Sequence, residues 1–280
     1  MSAENSPSAL TRLEQCLAAI GTVAVAVSGG VDSMTLAAVA HRLDGGSTMF
    51  HALSPAVPEQ ATARVKAYAR QEGWQLQLVN AGEINDPRYV ANPVNRCYFC
   101  KTNLYATICA RTSLTVVSGT NTDDLGDYRP GLIAATEHHV RHPYVEAGIS
   151  KAALRGIARD LGFADLQSLA AAPCLSSRVT TGITIDASLL PVINAAEEML
   201  WERLRPLLPL EGVRCRIKPQ QLTIELQSSV AIDPLADYAL LAVKLVGDLF
   251  ASQGQAQLAS QINVEAYQRG SAFLIETRSL

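Results

Sequence analysis

Two cysteines separated by two residues, Cys97 and Cys100 in NRCYFCK, stand one helical turn apart, and a third, Cys174 in PCLSSR, follows far downstream. The chain carries six cysteines in all. In a chain read as cytoplasmic these are not a disulfide framework, because that compartment keeps thiols reduced; short spacing points instead to metal binding or catalysis. On the residues alone three uses of the pair stay open. A structural zinc wants four ligands, and the fourth would come from HHVRH at 138–142. A thioredoxin-like redox pair needs no third cysteine. Alternatively, the pair is two legs of a larger thiolate-bound centre. Cys16, Cys109 and Cys215 lie among apolar residues or on a short strand and read as small buried hydrophobes.

A second constellation is SGGVDS, Ser28–Ser33, which ends the apolar run TVAVAV and opens a helical stretch. Gly29 and Gly30 allow backbone amides to approach an anion closely, and the helix N-terminus behind them favours negative charge. No lysine stands where a Walker A loop requires one, and there is no G-x-G-x-x-G. Such a loop suits the cradling of a pyrophosphate better than transfer of a terminal phosphoryl group, with Asp32 holding the accompanying Mg²⁺. GTNTDDLGDYRPG at 119–131 brings Gly119, Thr120, Asp123, Asp124, Asp127 and Arg129 to the end of another strand-like run. With Asp32 they form a candidate Mg²⁺ and phosphate site.

The elements that must position these residues alternate. Strand-like runs occur at 22–27, 49–54, 76–79 and 114–120, with helical stretches at 58–73, 100–111 and 150–163. That order predicts an α/β fold with a parallel sheet covered by helices on both faces and ligands at the carboxyl ends of its strands. Periodicity breaks at AAAPCLSSRVTTGITI, which sets the domain boundary at 172/173. The remainder reads as a smaller α+β domain: a helix at 186–205, strands VRCRI and LTIEL, a helix at 234–253 and a last strand SAFLIE. A chain of 280 residues, 48% of them apolar, buries a full core. Net charge −3 and a pI near 6.0 give no broad positive field for a nucleic-acid backbone. No leader and no apolar run of roughly 18 residues is present, so no membrane association and a cytoplasmic location are expected.

SGGVDS resembles the signature of the PP-loop ATP pyrophosphatases, which have an adenine-nucleotide α-hydrolase-like fold and split ATP into AMP and pyrophosphate. Together with NRCYFCK, GTNTDDLGDYRPG and PCLSSR, in that order, it resembles the LarE family of sulfur transferases. The resemblance implies adenylation of a carboxylate of pyridinium-3,5-biscarboxylic acid mononucleotide and its conversion to a thiocarboxylate, with ATP and Mg²⁺ as cofactors and sulfide or a sulfur donor as partner. A homo-oligomer is also expected. It places the sulfur-bearing cysteine at Cys174, and, because Cys97 and Cys100 accompany it, implies a [4Fe-4S] cluster on these three thiolates. Substrate or catalytic positions fall on Arg178, Arg214, Arg216 and Glu225, with Glu197 and Asp233 also matched. SRVTTGIT at 177–184 departs from the aromatic-containing segment of the family. Sacrifice of Cys174 itself, a tRNA thiolase and a zinc-stabilised nucleotide-binding module are the alternatives.

Overall fold

The computed structural model describes residues 7–126, 128–169 and 173–268. In chain order the elements are α1 (Ala9–Ile20), β1 (Val23–Ala26), α2 (Val31–Asp44), β2 (Thr48–Ala52), α3 (Glu59–Glu72), β3 (Gln75–Val79), α4 (Pro87–Val90), α5 (Arg96–Cys109) and β4 (Thr115–Ser118). They continue with α6 (Gly131–Glu137), α7 (Pro143–Glu146), α8 (Lys151–Asp160), α9 (Ala164–Gln167), α10 (Leu189–Leu204), β5 (Leu210–Lys218), β6 (Gln221–Ser228), α11 (Asp237–Ser252), α12 (Ala256–Ala259) and β7 (Ile262–Ala266). No described helix is long and apolar enough to cross a membrane.

Two compact units emerge: residues 1–86 with 97–172, and residues 87–96 with 173–280. In the first, four parallel strands lie in the order β3-β2-β1-β4. Alternation along β1 sends Val23 and Val25 into a core shared with Leu13, Leu17, Met34, Val65 and Ile157, while Ala24 and Ala26 face a second core with Tyr105, Ile108 and Ala134. Both faces of the sheet are thus covered, which is why its central strands are continuously apolar. In the second unit β5 and β6 form an antiparallel hairpin and β7 joins β6 in parallel. Val213, Cys215 and Ile217 are buried with Leu222, Ile224 and Leu226, and α10 packs against β5 and α11.

One helix boundary is corrected. The helix predicted from residue 100 starts at Arg96, because the turn Pro93–Arg96 already closes with an Arg96 amide bond to the Pro93 carbonyl at 2.9 Å; Cys97 therefore lies in its first turn and Cys100 at the start of its second. The last described strand is β7, whereas SAFLIE lies outside the described residues. Residues 87–96, read from the sequence as part of the first domain, belong with the second unit. Asn92 explains their placement. It is fully buried with a φ of +54°, and its side-chain amide donates to the carbonyls of Thr180 and Ile183 at 2.9 Å and of Val179 at 3.3 Å. Its own side-chain oxygen accepts from Arg96 at 3.1 Å. The Tyr89 and Ser176 hydroxyls share a buried hydrogen bond at 2.6 Å.

Candidate functional site

In the first unit the candidate site is the turn from β1 into α2. Gly29 has a φ of +85°, and a Cβ there would lie 2.8 Å from the Ala61 carbonyl oxygen, so both conformation and space demand glycine. The Ser33 hydroxyl accepts from the Ser28 amide at 3.0 Å and donates to the Gly30 carbonyl at 3.2 Å, closing the loop on itself. Arg64 of α3 donates to the Gly29 carbonyl at 2.8 Å. Beneath the loop, His51 donates from Nδ1 to the Val27 carbonyl at 2.8 Å and accepts at Nε2 from Thr62 at 2.9 Å. Burial lowers its pKa, so the ring is neutral at pH 7.

Gly119, just past β4, brings the second loop against the first. A Cβ at this position would fall 2.8 Å from the Ser33 amide nitrogen and 2.9 Å from the Asp32 carbonyl carbon, so backbone packs on backbone at the carboxyl ends of two adjacent strands. Asp32 is the meeting point: its carboxylate accepts from the Asn121 amide at 3.3 Å and pairs with the Lys151 ammonium, while the Tyr144 hydroxyl donates to its backbone carbonyl at 3.0 Å. Burial raises the Tyr144 pKa well above its ordinary value, which keeps that hydroxyl a donor. Asp124 accepts from the Asn121 backbone amide at 3.1 Å and pairs with Arg129 at 2.7 Å. Asp123 accepts from the Lys151 backbone amide at 3.2 Å. The Ser118 hydroxyl bonds Thr120 at 3.3 Å and His142 Nδ1 at 2.9 Å. Asp127 lies outside the described residues.

Cys97 is exposed and Cys100 half-buried, three residues apart on one face of α5. They belong to the first unit and Cys174 to the second. Among the described residues no three or more His, Cys, Asp or Glu side chains are gathered into a metal-binding group. By donor chemistry the thiols suit a soft centre, an iron–sulfur cluster or zinc, and their exposure leaves them accessible to one. Cys215 is fully buried, as its sequence surroundings suggest, but Cys109 is exposed near the end of α5 and is not a core residue.

In the second unit Cys174 is exposed at the head of a 3-10 turn, Leu175–Arg178. The chain turns back so that the buried Arg178 guanidinium donates to the Pro173 carbonyl at 2.9 Å and the Cys174 carbonyl at 3.4 Å. Its other edge grips Glu197 of α10 through two bonds, at 2.9 and 2.8 Å, and Glu197 also accepts from the Cys215 amide at 2.9 Å. Burial opposes the Arg178 charge, but Glu197 outweighs it and holds the pKa above its ordinary value. Arg216 pairs with the fully buried Glu225 at 2.6 Å and donates to the Ser177 carbonyl at 2.7 Å, tying the hairpin to the cysteine turn. Arg214 and Arg216 project from the same side of β5, opposite Glu225 and Thr223 of β6. Burial, and then the neighbouring Arg178 charge, lower the Arg214 pKa, so this corner gains from an added anion. Asp233 stands apart: it is exposed, and its carboxylate accepts from the Leu235 amide at 2.9 Å.

The structure thus brings Ser28, Gly29, Gly30, Asp32, Ser33, Gly119, Thr120 and Asp124 to one sheet edge, and Cys174, Arg178, Glu197, Arg214, Arg216 and Glu225 to one corner of the second unit. Sequence reasoning missed Asn121, Tyr144 and Lys151 in the first unit, and Tyr89 and Asn92 in the second. The signal for Lys151 is its place directly after Ser150, whose hydroxyl accepts from the Ala153 amide at 3.3 Å and starts α8.

No family model matches the chain. An uncharacterised protein of Synechocystis sp. is 36% identical over 224 residues, covering 77% of this chain and 83% of that protein. The pyridinium-3,5-bisthiocarboxylic acid mononucleotide synthase of Lactiplantibacillus plantarum is 28% identical over 184 residues, 64% of this chain and 66% of the synthase. An uncharacterised protein of Methanocaldococcus jannaschii is 26% identical over 182 residues, 64% and 69% of the two chains.

Proposed function

We propose an activity for this chain from one premise: it belongs to the LarE-like family, with the Synechocystis and Lactiplantibacillus proteins as relatives. The reading is an ATP-dependent sulfur transferase that converts a carboxylate of pyridinium-3,5-biscarboxylic acid mononucleotide to a thiocarboxylate. A carboxylate oxygen of the substrate attacks the α-phosphorus of ATP, the bridging P–O bond to the β-phosphorus breaks, and pyrophosphate leaves. A sulfur nucleophile then attacks the acyl carbon, and AMP departs with the oxygen it activated. The amides of Ser28–Ser33 and the N-terminus of α2 would hold the pyrophosphate, with Asp32 and Asp124 as carboxylates near its Mg²⁺. Arg214 would face the anionic substrate, with Arg178 and Arg216, held by Glu197 and Glu225, adding positive charge behind it.

The observation that carries this reading is the surroundings of Cys174: an exposed thiol on a turn fixed by a buried arginine, beside two further arginines and a buried carboxylate. A zinc-stabilised binding module has no use for that arrangement. A [4Fe-4S] cluster held by Cys97, Cys100 and Cys174 would supply a sulfide as the nucleophile. The exposure of Cys174 also suits the sacrificial reading, in which its own thiolate attacks the acyl carbon and the Cβ–Sγ bond then breaks with loss of the α-proton, leaving dehydroalanine.

Incubation with ATP, Mg²⁺ and the dicarboxylate nucleotide tests the proposal. AMP, pyrophosphate and a thiocarboxylate product are expected, and absence of AMP formation would sink it. Intact mass separates the two sulfur sources. An unchanged chain with iron and acid-labile sulfide supports the cluster, whereas loss of H₂S at Cys174 supports sacrifice.

A further inference from the structure

We propose that the free edge of β3 is the surface on which a second copy of this chain docks, strand against antiparallel strand about a two-fold axis at Gln77. Each sheet has two edges, and they are finished differently. The outer edge of β4 is taken up by Arg141, whose amide donates to the Val116 carbonyl at 2.9 Å and whose carbonyl accepts from the Ser118 amide at 3.0 Å. In the second unit the Thr180 amide covers part of β5 by donating to the Ile217 carbonyl at 3.0 Å, and β7 carries the charge of Glu265. The strand β3, QLQLV, has no charge and no proline, and among the described residues it has no backbone partner on its outer side. Such an edge is a template for another strand.

The register follows from the backbone. The Val79 carbonyl faces β2, where it accepts from the Leu53 amide at 2.8 Å. In a parallel ladder alternate residues turn both polar groups to the same neighbour, so Gln75 and Gln77 face β2 as well, and Leu76 and Leu78 present theirs outward. An identical antiparallel strand meets those groups when Leu76 of one copy lies opposite Leu78 of the other. Gln77 then stands opposite its own counterpart, as the non-hydrogen-bonded pair at the axis. The side chains agree with that register. Leu76 and Leu78 share one face of the strand. Leu76 packs on the core but Leu78 is 41% exposed, and pairing brings the two together across the copies. On the opposite face Gln75 and Gln77 are exposed and uncharged, so no like charges meet. A foreign strand would satisfy the same backbone groups; self-pairing adds the match of leucine to leucine and closure on a two-fold axis, which stops growth at a pair.

Sedimentation equilibrium of the full chain, with and without substitutions at the axis, tests this. The unsubstituted chain should associate. Gln77→Lys sets two ammonium groups face to face and should weaken association by about tenfold or more; Gln77→Glu should do the same, and an equimolar mixture of the two variants should recover it. A chain that stays monomeric, association unmoved by both substitutions, or a mixture that fails to recover it overturns the inference. Gln77→Cys under mild oxidation should give a 77–77 disulfide, read by peptide mass, because the Cα atoms of a non-hydrogen-bonded pair stand about 4.5 Å apart. Gln75→Cys, which faces Val79 of the other copy, should not link to itself, and the reverse pattern overturns the register. A measurement on the unsubstituted protein guards against variants that fail to fold. Amide exchange at Leu76 and Leu78 should slow as protein concentration rises, while that of Gln77, already bonded to β2, stays constant; exchange at the leucines that ignores concentration overturns the inference.

Discussion

The two candidate regions hold charge in opposite ways. Around Asp32 the ionic groups are part-exposed and their geometry comes from backbone, with Gly29 lying against Ala61 and Gly119 against Asp32 and Ser33. Around Cys174 they are buried pairs, Arg178 with Glu197 and Arg216 with Glu225, with exposures of 3%, 13%, 6% and 0%. The first design tolerates loss of a charge but no added atom. The second tolerates neither. Under the proposed function, a loop that wraps and releases a pyrophosphate would gain from solvated, movable cations, whereas a corner that fixes a thiol beside a planar acyl group would gain from arginines locked by carboxylates.

This contrast is open to direct attack. Glu225→Gln keeps the volume but leaves the Arg216 charge without its carboxylate, so a loss of about 3–5 kcal/mol is expected in urea unfolding, with faster amide exchange in β5 and β6. A variant within 1 kcal/mol of the parent, an order of magnitude set by the same principle, would break the comparison. In the first unit Gly119→Ala forces a methyl into the Asp32–Ser33 backbone; about 1–3 kcal/mol is expected, accompanied by loss of ATP-dependent pyrophosphate release.

Acid should act on the first unit selectively. All five histidines lie there, and burial lowers the pKa of His51 and His142. The unfolded chain therefore takes up protons before the folded one does. Stability is full above the unfolded pKa near 6.5 and is lost as pH falls through it toward the lowered folded values. Exchange in β1 and β2, corrected for its intrinsic pH dependence, should rise on mild acidification while that of β5 and β6 holds steady, and His51→Gln should flatten the response. At the low end, Lys244 and Asp248 form an i,i+4 pair with both side chains about seven-tenths exposed. Lys244→Ala should shift the unfolding midpoint by no more than about 0.5 kcal/mol.

Local pattern made the α/β architecture legible. TVAVAV, MFHALS, LQLV and LTVVSGT became β1 to β4 with their ends shifted by a residue or two, since strand propensity does not mark where hydrogen bonding stops. The loops at Gly29 and Gly119 were legible for the same reason, each being a strand followed at once by glycine. Lys151 was not, because its partner Asp32 lies 119 residues away: SKAALRG shows that the lysine opens a helix but not what it meets. Nor could spacing show that residues 87–96 leave the first unit, since a four-residue helix such as α4 has no period to read. Cys109 misled for a related reason: apolar neighbours in sequence point elsewhere when the residue falls near a helix end.

The amide of Asn92 also has a temporal consequence. During synthesis from the N-terminus it emerges long before Val179, Thr180 and Ile183, the carbonyls it serves. The second unit is thus stitched from an early strip and a late one, and its early strip must wait, unfolded or held elsewhere, until the ribosome has delivered the rest. A shortened gene beginning at Pro173 would make a polypeptide whose loop has three peptide oxygens and no asparagine to donate to them.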